Sequence, residues 1–227
     1  MKLPFSIEIM EQDVATLVNL LFGMLAILFL AENNVDNITI AAIFVLVCVL
    51  ADGADGYLAR TRGQGSLGFH LDSLADFVSF GLVASILVYY GTREGVGNRS
   101  LFFLIFVVSF LYLASGIVRL ARYNITPQDN VFYGLPITAG GLIIALYILA
   151  GLPSAGLPIA ALILAGLMLS NVRYPKVRNT ITLFIVAVLL IIIRALYGIG
   201  VDYGIIAIIL LVLTVIYVLN PLYRRYI

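Results

Sequence analysis

Long runs of apolar residues, separated by short polar or glycine- and proline-containing breaks, dominate this chain. Eight of the runs approach the roughly 20 residues that a helix needs to cross the hydrocarbon core of a bilayer. They lie near 14–31, 38–60, 70–91, 101–122, 133–151, 154–170, 179–198 and 201–220. The pattern predicts an all-α integral membrane protein with eight transmembrane helices.

Composition supports this prediction and leaves no room for a soluble domain. Of the 227 residues, 63% are hydrophobic and only 11% are charged, whereas about a quarter of the residues in a soluble domain are charged. We therefore expect one membrane domain over residues 1–227, with residues 1–13 forming either an interfacial segment or a disordered tail. The first apolar run follows Glu8, Glu11 and Asp13 and is long enough to remain as an anchor, so no cleaved signal peptide is expected.

The basic residues are divided unequally between the two faces of the predicted bundle. With eight spans both termini lie on one side, and ten of the thirteen Lys and Arg residues fall there. These ten are Lys2, Arg60, Arg62, Arg119, Arg122, Arg173, Lys176, Arg178, Arg224 and Arg225; the other three are Arg93, Arg99 and Arg194. By the positive-inside rule both termini are cytoplasmic. The net charge of +1 gives no electrostatic footprint for nucleic acid.

Four aspartates fall at the cytoplasmic ends of the second and third spans. Asp52 and Asp55 are three positions apart, and Asp72 and Asp76 are four apart, so each pair shares a helical face. An antiparallel hairpin around the loop 61–69 would bring all four together. Acidic groups in spans usually face a cavity and have a function. A set of oxygen ligands without Cys or His is typical of sites for Mg²⁺, Mn²⁺ or Ca²⁺. We expect this site to lie in a polar cavity that opens to the cytoplasm.

The neighbouring residues indicate what such metals would bind. Gly53 and Gly56 flank Asp55 and leave space for a ligand or another backbone. Arg60, one turn further on, carries a fork of donors suited to phosphate oxygens. The combination predicts a site for a pyrophosphate whose lipid tails remain in the bilayer.

These residues also carry a family resemblance. The string Asp52-Gly53-Ala54-Asp55-Gly56-Tyr57-Leu58-Ala59-Arg60, followed by Gly68, Asp72 and Asp76, resembles the signature of the CDP-alcohol phosphotransferase family, with every fixed position matched. One departure is that seven residues separate Arg60 from Gly68, one fewer than in the family pattern. The difference falls in the loop, so we expect the turn to change and the aspartates to keep their places.

Further segments look like the phosphatidylserine synthase branch of that family and extend the resemblance from about residue 14 to about residue 180. They are Leu71–Gly81, Arg119–Asn124, Gly134–Pro136 and Ser170–Pro175. The branch implies transfer of a phosphatidyl group from CDP-diacylglycerol to L-serine with release of CMP. CDP-archaeol as the lipid donor fits the sequence equally well. Glycerol phosphate or inositol phosphate is the alternative acceptor.

The resemblance also implies roles for individual residues. Asp52, Asp55, Asp72 and Asp76 would hold two divalent cations, Mg²⁺ or Mn²⁺ with Ca²⁺ as an alternative, and Asp76 would also be the catalytic base. The CDP-lipid would be contacted by Gly56, Ala59, Arg60 and Gly68. Thr16 and Asn19 are further candidates on other grounds, because they are polar residues in the otherwise apolar first helix and would border the nucleotide; simple helix packing is the alternative for Thr16. Membrane lipids are the surroundings, and family analogy implies a homodimer.

Three further arginines lie on the same face as the aspartates and form a second candidate set. Arg119, Arg122 and Arg173 would bind the acceptor or a lipid phosphate, since serine carries a carboxylate that needs a cation; the alternative is anchoring at the membrane surface. His70 is interpreted as a helix-start residue and Cys48 as helix packing. A transporter is the rival class, but transport sites usually lie near the bilayer midplane, and these acids cluster toward one face.

Overall fold

The computed structural model describes residues 11–32, 34–62, 66–93, 99–125, 131–175, 192, 195, 199–200 and 202–223. Its longer helices are α1 (Glu11–Ala31), α2 (Val35–Arg62), α3 (Ser66–Asp76), α4 (Val83–Arg93), α5 (Arg99–Ile125), α6 (Ile137–Leu149), α7 (Leu157–Leu169) and α8 (Gly204–Tyr223). A π-helical segment (Phe77–Leu82) joins α3 to α4, and a 3₁₀ turn (Ser154–Gly156) precedes α7. Two short strands, β1 (Val131–Tyr133) and β2 (Arg173–Pro175), complete the described elements. The fold is mostly helical, as predicted.

Five helical stretches in the described part of the chain are long and apolar enough to cross a membrane. They are Asp13–Ala31, Val35–Ala59, Leu67–Arg93, Ser100–Ile125 and Gly204–Pro221. Two shorter apolar helices, Ile137–Leu149 and Ser154–Leu169, occupy the predicted fifth and sixth spans. The predicted span 179–198 lies outside the described residues. The protein is therefore a multi-pass helical membrane protein.

Helix α1 shows how the usual arrangement of polar and apolar faces is reversed in this fold. One face is buried and contains the polar residues together with small and apolar ones: Asp13, Thr16, Asn19, Gly23, Ala26 and Leu30. The opposite face exposes large apolar side chains, including Leu17, Leu21, Met24 and Leu28. Both sets repeat every three or four residues, as one face of a helix requires. The polar face points into the bundle and the apolar face points toward lipid.

Close packing of small residues holds the first two helices together. Ala26 of α1 and Ala41, Ala42 and Cys48 of α2 are completely buried, and α1 packs along α2. Small residues allow helix backbones to approach closely, which is the main source of association where lipid surrounds the helices. The expected packing role of Cys48 agrees with this position, where its thiol donates to the Asn19 carbonyl oxygen over 3.3 Å.

The two strands lie where the chain leaves α5, enters α6 and leaves α7. They pair antiparallel, with Val131 opposite Pro175, Phe132 opposite Tyr174 and Tyr133 opposite Arg173. Helix α6 begins only at Ile137, later than predicted, because β1 and the connection 134–136 occupy the start of that apolar run. We call residues 131–136 and 170–175 the strand cap.

Candidate active site and metal centre

Helices α2 and α3 bring three of the four predicted aspartates together, although α3 packs chiefly against α1 and not along α2 as a tight hairpin would. One carboxylate oxygen each of Asp52, Asp72 and Asp76 lies within 4.8 Å of the others. Asp52 comes from α2, whereas Asp72 and Asp76 lie one turn apart on α3 and face the same way. We call these three residues the carboxylate cluster.

Asp55 takes a different position one turn further along α2. Its carboxylate is 3% exposed and accepts a hydrogen bond from the Thr16 hydroxyl of α1. Its charge also interacts with those of Asp72 and Asp76. Asp55 therefore adjoins the carboxylate cluster and links it to α1.

Asp13 is a residue that sequence reasoning missed. It is buried at the start of α1, and its charge interacts with that of Asp55. Sequence analysis treated it only as part of an acidic N-terminal stretch. The signal was its spacing, since Asp13, Thr16 and Asn19 recur every three residues and share one helical face.

The chemistry of the carboxylate cluster fits a hard divalent cation. Carboxylates this close repel one another, and burial makes each negative charge still less favourable. Asp76 Oδ1 is buried and has no hydrogen-bond partner among the described residues, so it is available as a ligand. Oxygen ligands suit Mg²⁺ and Mn²⁺. The cluster could therefore bind a divalent metal ion.

The residues predicted to contact the CDP-lipid lie on α1, and on α2 and α3 with this cluster. Gly56 and Ala59 are half-buried on α2, and Gly68 is buried on α3. The Arg60 backbone lies in α2, but its side chain is outside the described part of the structure. Asn19 is completely buried, and neither polar atom of its side-chain amide has a hydrogen-bond partner among the described residues.

Arg119 of α5 is the buried cation on the other side of the carboxylate cluster. It is only 5% exposed, and its charge interacts with those of Asp72 and Asp76. The guanidinium carbon lies 5.0 Å from the centre of the Phe132 ring and 5.5 Å from that of Tyr123, a cation–π arrangement. Its Nε has no hydrogen-bond partner among the described residues. Arg119 thus has a donor available for an anionic group.

Arg122, one turn further along α5, binds main-chain carbonyls instead. Its Nη2 donates to the carbonyl oxygens of Tyr133 over 2.8 Å and Ser170 over 2.9 Å. These bonds tie both segments of the strand cap to α5. Gly134 lies against this junction with a φ of +77°, and a Cβ there would clash with the Met168 carbonyl oxygen.

Arg173 lies apart from Arg119, on the exposed side of β2. Its guanidinium carbon is 5.6 Å from the centre of the Tyr133 ring. Side chains alternate between the faces of a strand, so Arg173 and its neighbour Tyr174 point in opposite directions. His70 is also exposed, and its ring packs edge-on against Phe69.

Tyr174 is a second residue that sequence reasoning did not single out. It is completely buried and shares a sheet face with Phe132, its partner across the strands. Its hydroxyl has no hydrogen-bond partner among the described residues. Burial raises the pKa of Tyr174, so the hydroxyl stays protonated and can donate. Its ring centre is 6.0 Å from that of Tyr217 on α8.

Comparison with known proteins decides the family. Residues 12–172 match the CDP-alcohol phosphatidyltransferase family, and this range includes most of the site described above. The chain belongs to this family. The match contains the four aspartates, Arg119 and Arg122, and it ends within the strand cap.

Named relatives are similar to part of the chain. An archaetidylserine synthase of Methanothermobacter thermautotrophicus is 33% identical over 146 residues, which are 63% of this chain and 59% of that protein. Two CDP-diacylglycerol–serine O-phosphatidyltransferases are similarly related. That of Methanocaldococcus jannaschii is 32% identical over 177 residues, 78% of this chain and 79% of that protein. That of Helicobacter pylori is 30% identical over 141 residues, 60% of this chain and 56% of that protein. The matches to the first and last of these span little more than half of their length.

Proposed function

We propose that the protein transfers a phosphatidyl-type group from a CDP-activated lipid to L-serine and releases CMP. The observation that carries this proposal is that segments resembling phosphatidylserine synthases contact one another beside the carboxylate cluster. Arg122 joins the strand cap to α5, and Phe132 of the cap packs against Arg119. Arg119 in turn faces the charges of the carboxylate cluster. Segments that resemble the phosphatidylserine synthase branch thus adjoin the aspartates of the family signature.

The proposed chemistry assigns each side of the site a task. Asp52, Asp55 and Asp72 would hold divalent cations, which would supply positive charge for the pyrophosphate, and Asp76 would be both a metal ligand and the base. The serine hydroxyl oxygen attacks the phosphorus that carries the lipid. The bond from that phosphorus to the bridging oxygen breaks, and its electron pair leaves with CMP. The hydroxyl proton passes to Asp76.

The nucleotide end of the donor is assigned to the α1–α2 side of the site. We assign Thr16 and Asn19 of α1 to it, together with Gly56, Ala59 and Arg60 of α2 and Gly68 of α3. The buried amide of Asn19, without a partner among the described residues, supports this assignment because a buried polar group is normally hydrogen-bonded. A nucleotide would satisfy it.

The acceptor is assigned to the side of Arg119. A serine carboxylate would accept from the buried guanidinium, and charge-assisted bonds of this type are stronger than neutral ones. Arg122 and Arg173 were predicted to share this task. Arg122 is committed to carbonyl oxygens through Nη2, and Arg173 is exposed, so we propose Arg119 as the main acceptor group.

The proposed topology has eight spans in one domain, with both termini and the site in the cytoplasm and with a homodimer as the assembly. The ten-to-three division of basic residues supports this orientation. Labelling of a cysteine introduced at Thr61 tests it in sealed, oriented vesicles. Reaction only with a probe on the extracytoplasmic side would reverse the assignment.

A panel of substrates tests the proposed activity. Protein in lipid nanodiscs is incubated with CDP-diacylglycerol or CDP-archaeol and with L-serine, glycerol 3-phosphate or inositol 1-phosphate. We expect CMP release and a new serine-containing lipid, quantified by chromatography and mass spectrometry. Turnover only with a phosphorylated acceptor would move the protein to another branch, and no CMP release with any pair would contradict the proposed activity.

A further inference from the structure

A π-helical segment begins directly after Asp76. Residues 77–82 form it within a helix that otherwise continues from α3 into α4. The Val83 amide donates to the Val78 carbonyl oxygen, five residues back instead of four. A π turn inserts one residue into a helix and often occurs at functional sites. Since each residue turns an α-helix by about 100°, the insertion rotates the preceding face by about that angle.

This rotation determines the direction in which Asp72 and Asp76 project from α3. Asp76 and Val83 are seven positions apart, and Leu87 is four positions further. In an uninterrupted α-helix, residues seven apart differ in direction by only about 20°. Asp76 would then share a face with Val83 and Leu87, which are completely buried in the apolar core. The π segment rotates α3 relative to α4, so that Val83 and Leu87 face the apolar core while Asp76 faces the carboxylate cluster.

Tyr112 of α5 donates a hydrogen bond to the backbone of this segment. The side chain is completely buried, and its hydroxyl donates to the Phe80 carbonyl oxygen over 3.1 Å. Irregular backbone leaves carbonyl groups that the helix itself satisfies poorly, and no water in the bilayer core can replace the missing bond. Phe80 lies in the middle of the π segment, so this bond stabilises the irregular turn directly.

Other helices fit the same segment closely. The Ser79 hydroxyl donates to the Asn19 carbonyl oxygen of α1 over 3.2 Å. A Cβ at Gly141 of α6 would lie 3.0 Å from the Phe80 Cα. The segment is therefore in contact with α1, α5 and α6, which fix its rotation relative to the bundle.

We propose that Tyr112 is a positioning residue for the carboxylate cluster. Its hydroxyl bond to the π segment keeps α3 rotated so that Asp72 and Asp76 meet Asp52. Tyr112 acts through this backbone and not by touching substrate. The expected change in kcat rests on the proposed function, whereas the expected change in Mn²⁺ binding can be measured without turnover.

The variant Tyr112→Phe removes only the hydroxyl and tests the proposal. Direct Mn²⁺ binding, measured by electron paramagnetic resonance in nanodiscs, should weaken about fivefold to thirtyfold, because losing one buried hydrogen bond shifts an equilibrium by roughly this factor. The kcat should fall similarly, while the KM for serine should change by less than about twofold, since Arg119 is untouched.

Tyr147→Phe is the matched control. The Tyr147 hydroxyl also donates to a carbonyl oxygen, that of Pro153, over 2.8 Å, but it lies at the far end of α6 from the strand cap. The control removes a more exposed hydrogen bond, so it should lower thermal stability less than Tyr112→Phe does, and it should leave Mn²⁺ affinity unchanged. Unchanged Mn²⁺ affinity and kcat in folded Tyr112→Phe would overturn the proposal by showing that the residue serves stability alone.

A second variant covers the case in which Tyr112→Phe does not fold. Ser79→Ala removes a different bond to the same segment and should also weaken Mn²⁺ binding; unchanged Mn²⁺ affinity there would overturn the proposal. Weaker Mn²⁺ binding in Tyr112→Phe, combined with no serine turnover by the unaltered protein, would support the positioning role and reject the proposed function instead.

Discussion

The two sides of the site carry opposite charge and are built in different ways. The carboxylate cluster consists of side chains projected from the regular helices α2 and α3, with Asp55 bound to α1. The strand cap consists of connecting segments held by bonds to main-chain groups, and the Arg122 side chain donates two of them. On α5, beside the strand cap, two arginines one helical turn apart have different roles. Arg119 has a buried donor available, whereas Arg122 secures the backbone. Proximity in sequence therefore does not predict a shared role.

Removing metal should have the largest effect and should act only through the acidic side. Treatment with EDTA followed by buffer exchange is expected to abolish turnover, because the clustered carboxylates need positive charge to bind a pyrophosphate. Mn²⁺ or Mg²⁺ should restore it. Undiminished CMP release after exhaustive chelation would remove the metal from the proposal.

Replacing single aspartates should divide the acidic side into ligands and base. Asp76→Asn is expected to lower kcat by about 10²–10⁴-fold, the usual effect of losing a general base, with a much smaller loss of CDP-lipid affinity. Asp52→Asn should weaken metal and CDP-lipid binding together with turnover. Equal collapse of CDP-lipid binding in both variants would show that Asp76 is chiefly a ligand.

Separate replacement of Arg119 and Arg122 tests whether the two arginines have different roles on the basic side of the site. Arg119→Gln is expected to raise the KM for serine about 10- to 100-fold, the range for losing a hydrogen bond to a charged group, with little change in the KM for CDP-lipid. Arg122→Gln should mainly lower thermal stability, because two part-buried carbonyl oxygens lose their donor. The comparison fails if Arg122→Gln raises the serine KM as much as Arg119→Gln without loss of stability.

The smallest effect is expected at Tyr174. Tyr174→Phe removes a buried donor beside Phe132 and should raise the KM for serine about threefold to tenfold if the hydroxyl contacts the acceptor. Tyr217→Phe is the matched control, since its hydroxyl donates to the Pro175 carbonyl oxygen over 3.1 Å. Equal effects of the two variants on the serine KM would assign Tyr174 to packing.

The helical part of the fold and the acidic side of the site were accessible from sequence because both depend on short-range periodicity. Apolar run length predicted the helical spans, and three- and four-residue spacing placed Asp52, Asp72 and Asp76 on facing surfaces. The π segment has no such signature, since nothing in Phe77–Leu82 distinguishes an inserted residue from a regular turn. The residues that contact it, Tyr112 and Gly141, are distant in sequence.

The strand cap was inaccessible for the same reason. Phe132 and Tyr174 become neighbours only through pairing of segments about forty positions apart in the sequence, and the difference between Arg119 and Arg122 depends on which carbonyl oxygens each can reach. Charge alone grouped all three arginines together. Long-range main-chain contacts separate them.

The reversed faces of α1 have a consequence for extraction from the membrane. In lipid, no hydrophobic force presses this helix against its neighbours, so close packing and a few hydrogen bonds hold it, including that from Thr16 to Asp55. A small, harsh detergent can solvate the outer face of α1 and compete for these contacts. Release of α1 would free Asp55 before the other helices separate. Inactivation during solubilisation should therefore precede unfolding, and mild detergents with added lipid should delay it.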